Sequence, residues 1–257
     1  MLQSEQMNPF RDIRAVFFDL FDTLVEIDPS RLPKRMWQGV EHPTTAPLVF
    51  ERLQKEMPEL TFEKFIAAMI ESWKETTARK EADLIEVSAI DRHERFLRGL
   101  GLPTGEKTRA LALTLTEVHM RAIAQSTRPV KGAEEILAKL KSANLPLVLI
   151  SNFDHAPAGE WVLENTKLSG FSRIIISDAL GLRKPHEKLF QEALSHAGVA
   201  PSEALHVGDM PKADVWGAGR LGIRTAWINP KGKPYPEKEH APDITVVGVA
   251  ELLGHLS

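Results

Sequence analysis

The 257 residues are 43% hydrophobic and 26% charged, enough apolar material for a sizeable core and unlike a disordered chain. Lys plus Arg number 32 against 35 Asp plus Glu, a net charge of -3 with no basic stripe, which demotes nucleic acid as a partner. The absence of cysteine excludes disulfides, zinc–thiolate sites, iron–sulfur clusters and thiol nucleophiles, and suits a reducing cytoplasm.

Residues 1 to about 12 are polar and mixed in charge, read as a frayed lead-in without the basic start and apolar run of a secretory signal. No segment reaches the roughly 18 consecutive apolar residues of a membrane span. From Ala15 the sequence runs AVFFDL, a short apolar strand pattern ending in an aspartate. Residues 28 to about 127 have no strand-like run of comparable quality. They read as helices over Ala46–Met57, Phe62–Lys80, Ile85–Leu100 and Thr108–Gln125. In the second of these Phe62, Phe65, Ile66, Met69, Ile70 and Trp73 recur at helical spacing and are expected to pack in a core. Beyond this block, strand patterns at Leu147–Ile150, Ile174–Ile176, Leu205–Val207, Thr225–Ile228 and Ile244–Val247 follow. Helical patterns lie between most of them, at Gly132–Ala143, His186–Ala197 and Pro211–Leu221, with a last one at Val249–Leu256. This alternation predicts an α/β class: a doubly wound, Rossmann-like parallel sheet core with an inserted all-helical cap domain. The core is expected over 1–27 and 128–257, the cap over 28–127.

Ligands of open parallel sheets sit beyond the carboxyl ends of the strands. There the sequence delivers Asp19, then Ser151 and Asn152, then Asp209, with Asp214 five residues on and Lys184 just before Pro185. Three carboxylates and one lysine leave a net negative site, costly unless a cation binds. Few ligands, all oxygen, point to magnesium, while Ser151, Asn152 and Lys184 could hold an anion. Together these suit attack by Asp19 on a phosphoryl group.

The segments FFDLFDTL (Phe17–Leu24), LISN (Leu149–Asn152), LRKP (Leu182–Pro185) and HVGDMPKAD (His206–Asp214) resemble, in order and position, the motifs of the haloacid dehalogenase superfamily of hydrolases. The helical block sits where many members carry a cap. The resemblance implies that Asp19 is the nucleophile, forming an aspartyl-phosphate, and a magnesium ligand with the backbone carbonyl of Phe21, Asp209 and Asp214. It implies that Ser151 and Asn152 bind phosphoryl oxygens, that Lys184 neutralises charge, and that Thr23 shapes the turn and touches phosphate. The implied reaction is hydrolysis of a small phosphorylated metabolite by a cytoplasmic enzyme, with no nucleic-acid or membrane partner. Oligomeric state and substrate are left open.

One position departs from the pattern. Phosphatases of the superfamily carry an acid/base aspartate where this chain has Phe21, and an acid appears one place later, at Asp22. Side chains alternate along an extended segment, which points Asp22 away from Asp19 unless the turn swings it in. Loss of a general acid typically costs on the order of 100- to 10,000-fold. An aromatic there resembles the dehalogenases proper, which have tyrosine and need no metal. Those enzymes lack the Gly-Asp kept here as Gly208 and Asp209, and that carboxylate would repel a carboxylate substrate by roughly 4 kcal/mol at about 4 Å. The phosphatase therefore ranks above a 2-haloacid dehalogenase and above a phosphate-binding protein with weakened catalysis. A phosphomutase is not distinguished. The nine histidines show no metal-ligand spacing, and His155 is given no role. The cluster Arg31, Lys34, Arg35 and Trp37 opens the helical block, as a solvated linker or as a contact for an anionic or planar substrate.

Overall fold

A computed structural model describes residues 12–255, so the lead-in reading of residues 1–12 lies almost wholly outside it. The elements run β1 (Ala15–Phe18), β2 (Val25–Ile27), β3 (Lys34–Trp37), β4 (Val40–Pro43), α1 (Ala46–Gln54), α2 (Phe62–Asp83), α3 (Ala89–Gly99) and α4 (Glu106–Gln125). Then come β5 (Thr127–Pro129), α5 (Ala133–Ser142), β6 (Leu147–Ser151), α6 (Ala156–Thr166), β7 (Arg173–Ile176), α7 (Ser177–Leu180) and α8 (Glu187–Ala197). The last are β8 (Ala204–Gly208), α9 (Gly217–Gly219), β9 (Arg224–Ile228) and β10 (Ile244–Val246).

Six strands form one parallel sheet in the order β10-β9-β8-β1-β6-β7. β1 is central, paired to β6 through Val16 and Leu147 and to β8 through Phe17 and His206. Period-two alternation divides the strands between two cores. Val16, Phe18, Leu147, Leu149, Leu205 and Val207 face one cluster with α5, and Ala15, Phe17, Val148 and Ile150 face the other with α8. A sheet covered on both faces explains why these strands read as unbroken apolar runs. The crossover from β7 to β8 jumps past β1, so the sheet reverses direction beside β1, where crevices form at strand ends.

The chain leaves and rejoins this layer through the antiparallel pair β2–β5 (Val25↔Pro129, Ile27↔Thr127). Between them α1 to α4 enclose a separate apolar cluster around Val49, Leu53, Phe65, Phe96 and Leu115. A smaller cluster of Ala89, Met120 and Ala158 ties the insert to α6.

Several local expectations are corrected. The insert is not purely helical: β3 and β4 form a hairpin around Gln38 and Gly39, both at positive φ. Its side chains are mostly exposed, so no apolar alternation marked it. The third helix begins at Ala89, where the Ser88 hydroxyl accepts from the Asp91 N–H; Ile85 instead bridges to Leu182. The segment after β8 is a π-helix over Pro211–Trp216 leading into α9, and Val249–Gly254 is a 3-10 helix. The sequence expectation has no helix between β6 and β7, where the chain forms α6. On α2, Phe62 and Phe65 are buried as expected, but Trp73 is 58% exposed.

Candidate active site

The turn after β1 builds the first wall. The Asp19 N–H donates to the Val207 carbonyl (2.9 Å), holding the backbone in register with β8 one residue past the strand. Leu24 and Val25 N–H groups close back on the Leu20 carbonyl, and the Asp22 N–H donates to Val25 O (2.7 Å). Asp22 adopts φ 56°, a left-handed conformation that Asp tolerates better than most residues.

The predicted site residues converge. Carboxylate oxygens of Asp19, Asp209 and Asp214 lie within 4.8 Å of one another. The Lys184 ammonium donates to Asp19 Oδ1 and to Asp214 Oδ1, each at 2.6 Å. Asn152 clamps the main chain of Lys184 from both sides: its Nδ2 donates to Lys184 O (2.9 Å) and its Oδ1 accepts from Lys184 N (2.7 Å). Its amide thus positions the lysine, whereas the expectation had it beside Ser151 against phosphoryl oxygens. Ser151 ends β6 and lines the same cavity, of about 490 Å³, with Asp19, Phe21, Asp22 and Lys184. The ring of Phe21 packs edge-on against Phe153 (4.9 Å). Asp22 is exposed on the cavity rim. Thr23 is buried with no hydrogen-bond partner for its hydroxyl among the described residues.

Two residues complete the arrangement. Gly208 leaves room for Asp214: a Cβ there would collide with that carboxylate. His206, two residues before Gly208 on β8, donates from Nε2 to Asp214 Oδ1 (3.0 Å). It is a core histidine, as one without metal-ligand spacing is expected to be, yet it reaches the site, and only its shared strand face with Gly208 signals this. His155 precedes α6 and packs on Trp161, outside the cavity lining. From the insert, Lys80, Glu81 and Leu84 line the cavity. The Arg31–Trp37 cluster does not: Arg31 pairs with Asp28 and Lys34 with Glu41, and Arg35 and Trp37 face a different cavity.

Electrostatics follow from burial and crowding. Burial, offset by Lys184 and reinforced by Asp214, raises Asp19 to about 6. Burial, then the charges of Asp19, Asp214 and Asp22, raises Asp209 to about 7. Burial would raise Asp214 too, but Lys184 and His206 hold it well below the usual carboxylate range. Burial opposes the charge on Lys184, yet Asp19 and Asp214 keep its pKa above the ordinary lysine value. One ammonium thus satisfies Asp214 and part of Asp19 and leaves Asp209 poorly compensated. An oxygen-only donor set with this unmatched charge fits a small divalent cation.

A family model described as a haloacid dehalogenase-like hydrolase matches residues 13–222. A glyceraldehyde 3-phosphate phosphatase of Pyrococcus abyssi is 29% identical over 217 residues, covering 84% of this chain and 81% of that one. A phosphoserine phosphatase of Thermus thermophilus is 37% identical over 126 residues, 47% of this chain and 48% of that one. Among solved structures, a 2-haloacid dehalogenase from Pseudomonas syringae pv. Tomato superposes with a TM-score of 0.72 at 24% identity, over 95% of this chain and 98% of that one. A HAD phosphatase from Thermococcus onnurineus superposes with a TM-score of 0.61 at 20% identity, over 95% and 98%. At such identities the structural likeness speaks for the fold, while the family match spans most of the chain. The chain belongs to the haloacid dehalogenase-like hydrolases.

Proposed function

We propose that this hydrolase is a magnesium-dependent phosphatase of small phosphomonoesters, working through an aspartyl-phosphate on Asp19. The observation that carries the reading is the meeting of Asp19, Asp209 and Asp214 within 4.8 Å, with a single buried lysine between two of them. The phosphatases among its relatives support the same substrate class.

In this reading Asp19 attacks phosphorus, forming the acyl phosphate as the ester oxygen departs; water then cleaves the acyl phosphate, releasing phosphate and regenerating Asp19. Lys184, fixed by Asn152, neutralises charge on the nucleophile and the transferred group. Ser151 offers its hydroxyl to the phosphoryl oxygens, while Thr23, buried and outside the lining of this cavity, shapes the turn after β1. Asp19, Asp209 and Asp214, with the Phe21 carbonyl, would hold the magnesium ion. When bound, that ion supplies positive charge that keeps the carboxylates ionised and offsets charge on the phosphoryl oxygens. Residues 28–127 act as a cap that covers the cavity and presents Lys80 and Glu81 to the leaving group.

Phe21 has no proton to give, so Asp22 on the rim is the acid that serves the leaving oxygen. Replacing Asp22 by Asn should slow hydrolysis of an alkyl phosphate about 100-fold or more and barely affect p-nitrophenyl phosphate, whose leaving group needs no proton. Equal losses on both substrates would remove Asp22 from that role. The overall reading is tested by magnesium-dependent phosphate release from p-nitrophenyl phosphate, abolished in Asp19→Ala. Metal-independent chloride release from 2-chloropropionate, without phosphatase activity, would instead favour the dehalogenase reading that the aromatic Phe21 suggests. Metal binding without turnover on a broad substrate panel would leave a phosphate-binding protein.

A further inference from the structure

A second cavity, of about 410 Å³, lies within the insert between the β3–β4 hairpin, α2 and α3. It shares no lining residue with the catalytic cavity: α2 gives Phe62 to Trp73 to the one and Lys80 and Glu81 to the other. Its volume falls in the range of small-molecule sites, roughly 300–1,000 Å³. Its walls are largely apolar and include the rings of Trp37, Phe62, Trp73 and Phe96. Core packing does not account for Trp73, which stays 58% exposed at the cavity while Phe62 and Phe65 on the same helix are buried.

The ionisable groups of the lining are all basic: Arg35, His42, Arg92 and His93, with no carboxylate among them. His93 is committed internally, to the Ala89 carbonyl (2.9 Å) and the Thr116 hydroxyl (2.8 Å). Arg92 turns one nitrogen to Asp154 (3.3 Å), and its buried Nε has no hydrogen-bond partner among the described residues. Arg35 lays its guanidinium 4.3 Å above the Phe62 ring and makes no ion pair among the described residues. Aromatic side chains in the lining beside a guanidinium that makes no ion pair among the described residues favour a ligand that is both planar and negative. Aromatic rings reward stacking, and guanidinium recognises carboxylate through paired charge-assisted hydrogen bonds. A cationic ligand would meet like charge at the same place.

We propose that this cavity binds a planar aromatic anion, with its ring against the tryptophans and its anionic group at Arg35. The test uses the intact chain and 2-naphthoate, with naphthalene-2-carboxamide as its neutral counterpart, followed by calorimetry and by quenching of tryptophan fluorescence. One site per chain is expected, with the carboxylate bound about tenfold more tightly than the amide, the difference made by one charge-assisted hydrogen bond. Saturating inorganic phosphate should not displace it. Arg35→Gln, a surface change, should weaken naphthoate about tenfold and leave the amide unchanged, whereas Trp73→Ala should weaken both. Equal affinity for carboxylate and amide, displacement by phosphate, or indifference to both substitutions overturns the proposal. So does a homodimer that Trp73→Glu splits and that, like the split form, takes up no naphthoate.

Discussion

Gly208 and Lys184 set the tightest constraints in the site. With no Cβ, Gly208 lets the Asp214 carboxylate lie against the end of β8; an added methyl would overlap it. Gly208→Ala should therefore cost about 1–3 kcal/mol in urea denaturation and lower activity with it. Lys184 is buried between two carboxylates, so Lys184→Met leaves Asp19 and Asp214 without a counter-charge. A loss of about 3–5 kcal/mol is expected in metal-free buffer. Wild-type stability in that variant would mean that the ammonium does not carry the balance. Asp19, Asp209 and Lys184 are legible because each stands just past a strand end or beside a proline, and Asp214 because it follows Asp209 by five residues within one motif. His206 is not, because a histidine in a buried strand looks the same whether it packs on Phe190 or bonds to Asp214; it does both.

Between elements, the attachment of the insert to the sheet layer depends on Asp154, in the loop after β6. It accepts from Lys80 on α2 (3.2 Å) and lies 3.3 Å from Arg92 on α3, and Lys80 also meets Glu86 (2.7 Å). Burial would raise the Asp154 carboxyl, but Arg92 and Lys80 outweigh it and hold it below its ordinary value. Asp154→Ala would take the counter-charge from partly buried Arg92 and leave Lys80 to Glu86 alone, and should destabilise the protein by roughly 3 kcal/mol. It should also loosen Lys80, raising KM more than it lowers kcat. An unchanged KM would place Lys80 outside substrate contact. None of this could be read from spacing, since Lys80, Glu86, Arg92 and Asp154 belong to segments up to 74 residues apart. The hairpin escaped for a different reason: an exposed pair of strands carries no period-two apolar signal, and only its Gln38–Gly39 turn marks it.

For the molecule as a whole, pH and metal are coupled through the carboxylates. Asp19 and Asp209 titrate at about 6 and about 7 in the fold, above the ordinary aspartate near 4, so the metal-free fold holds protons that the unfolded chain has released. Their stabilising contribution is full below about pH 4 and is lost as pH rises through about 6 and about 7. Asp214 has the opposite sign: its contribution is present above about pH 4 and is lost only as pH falls through its depressed value. In chelator, Asp209→Asn should therefore gain stability relative to the unsubstituted chain between pH 5 and pH 8. Magnesium should raise the melting temperature of the unsubstituted chain more at pH 8 than at pH 5, and that pH dependence should shrink in Asp209→Asn. Melting curves with no magnesium response at either pH would count against the metal site. The sequence alone determined the layered α/β architecture and brought forward the side chains that gather at its strand ends, because apolar periodicity and strand-end position are local properties of the chain. Only the tertiary structure decided that Asn152 holds Lys184, that Asp22 stands on the rim, and that Arg35 and Trp37 serve a cavity of their own. Those outcomes depend on where segments far apart in sequence come to rest against one another, and no local pattern encodes that.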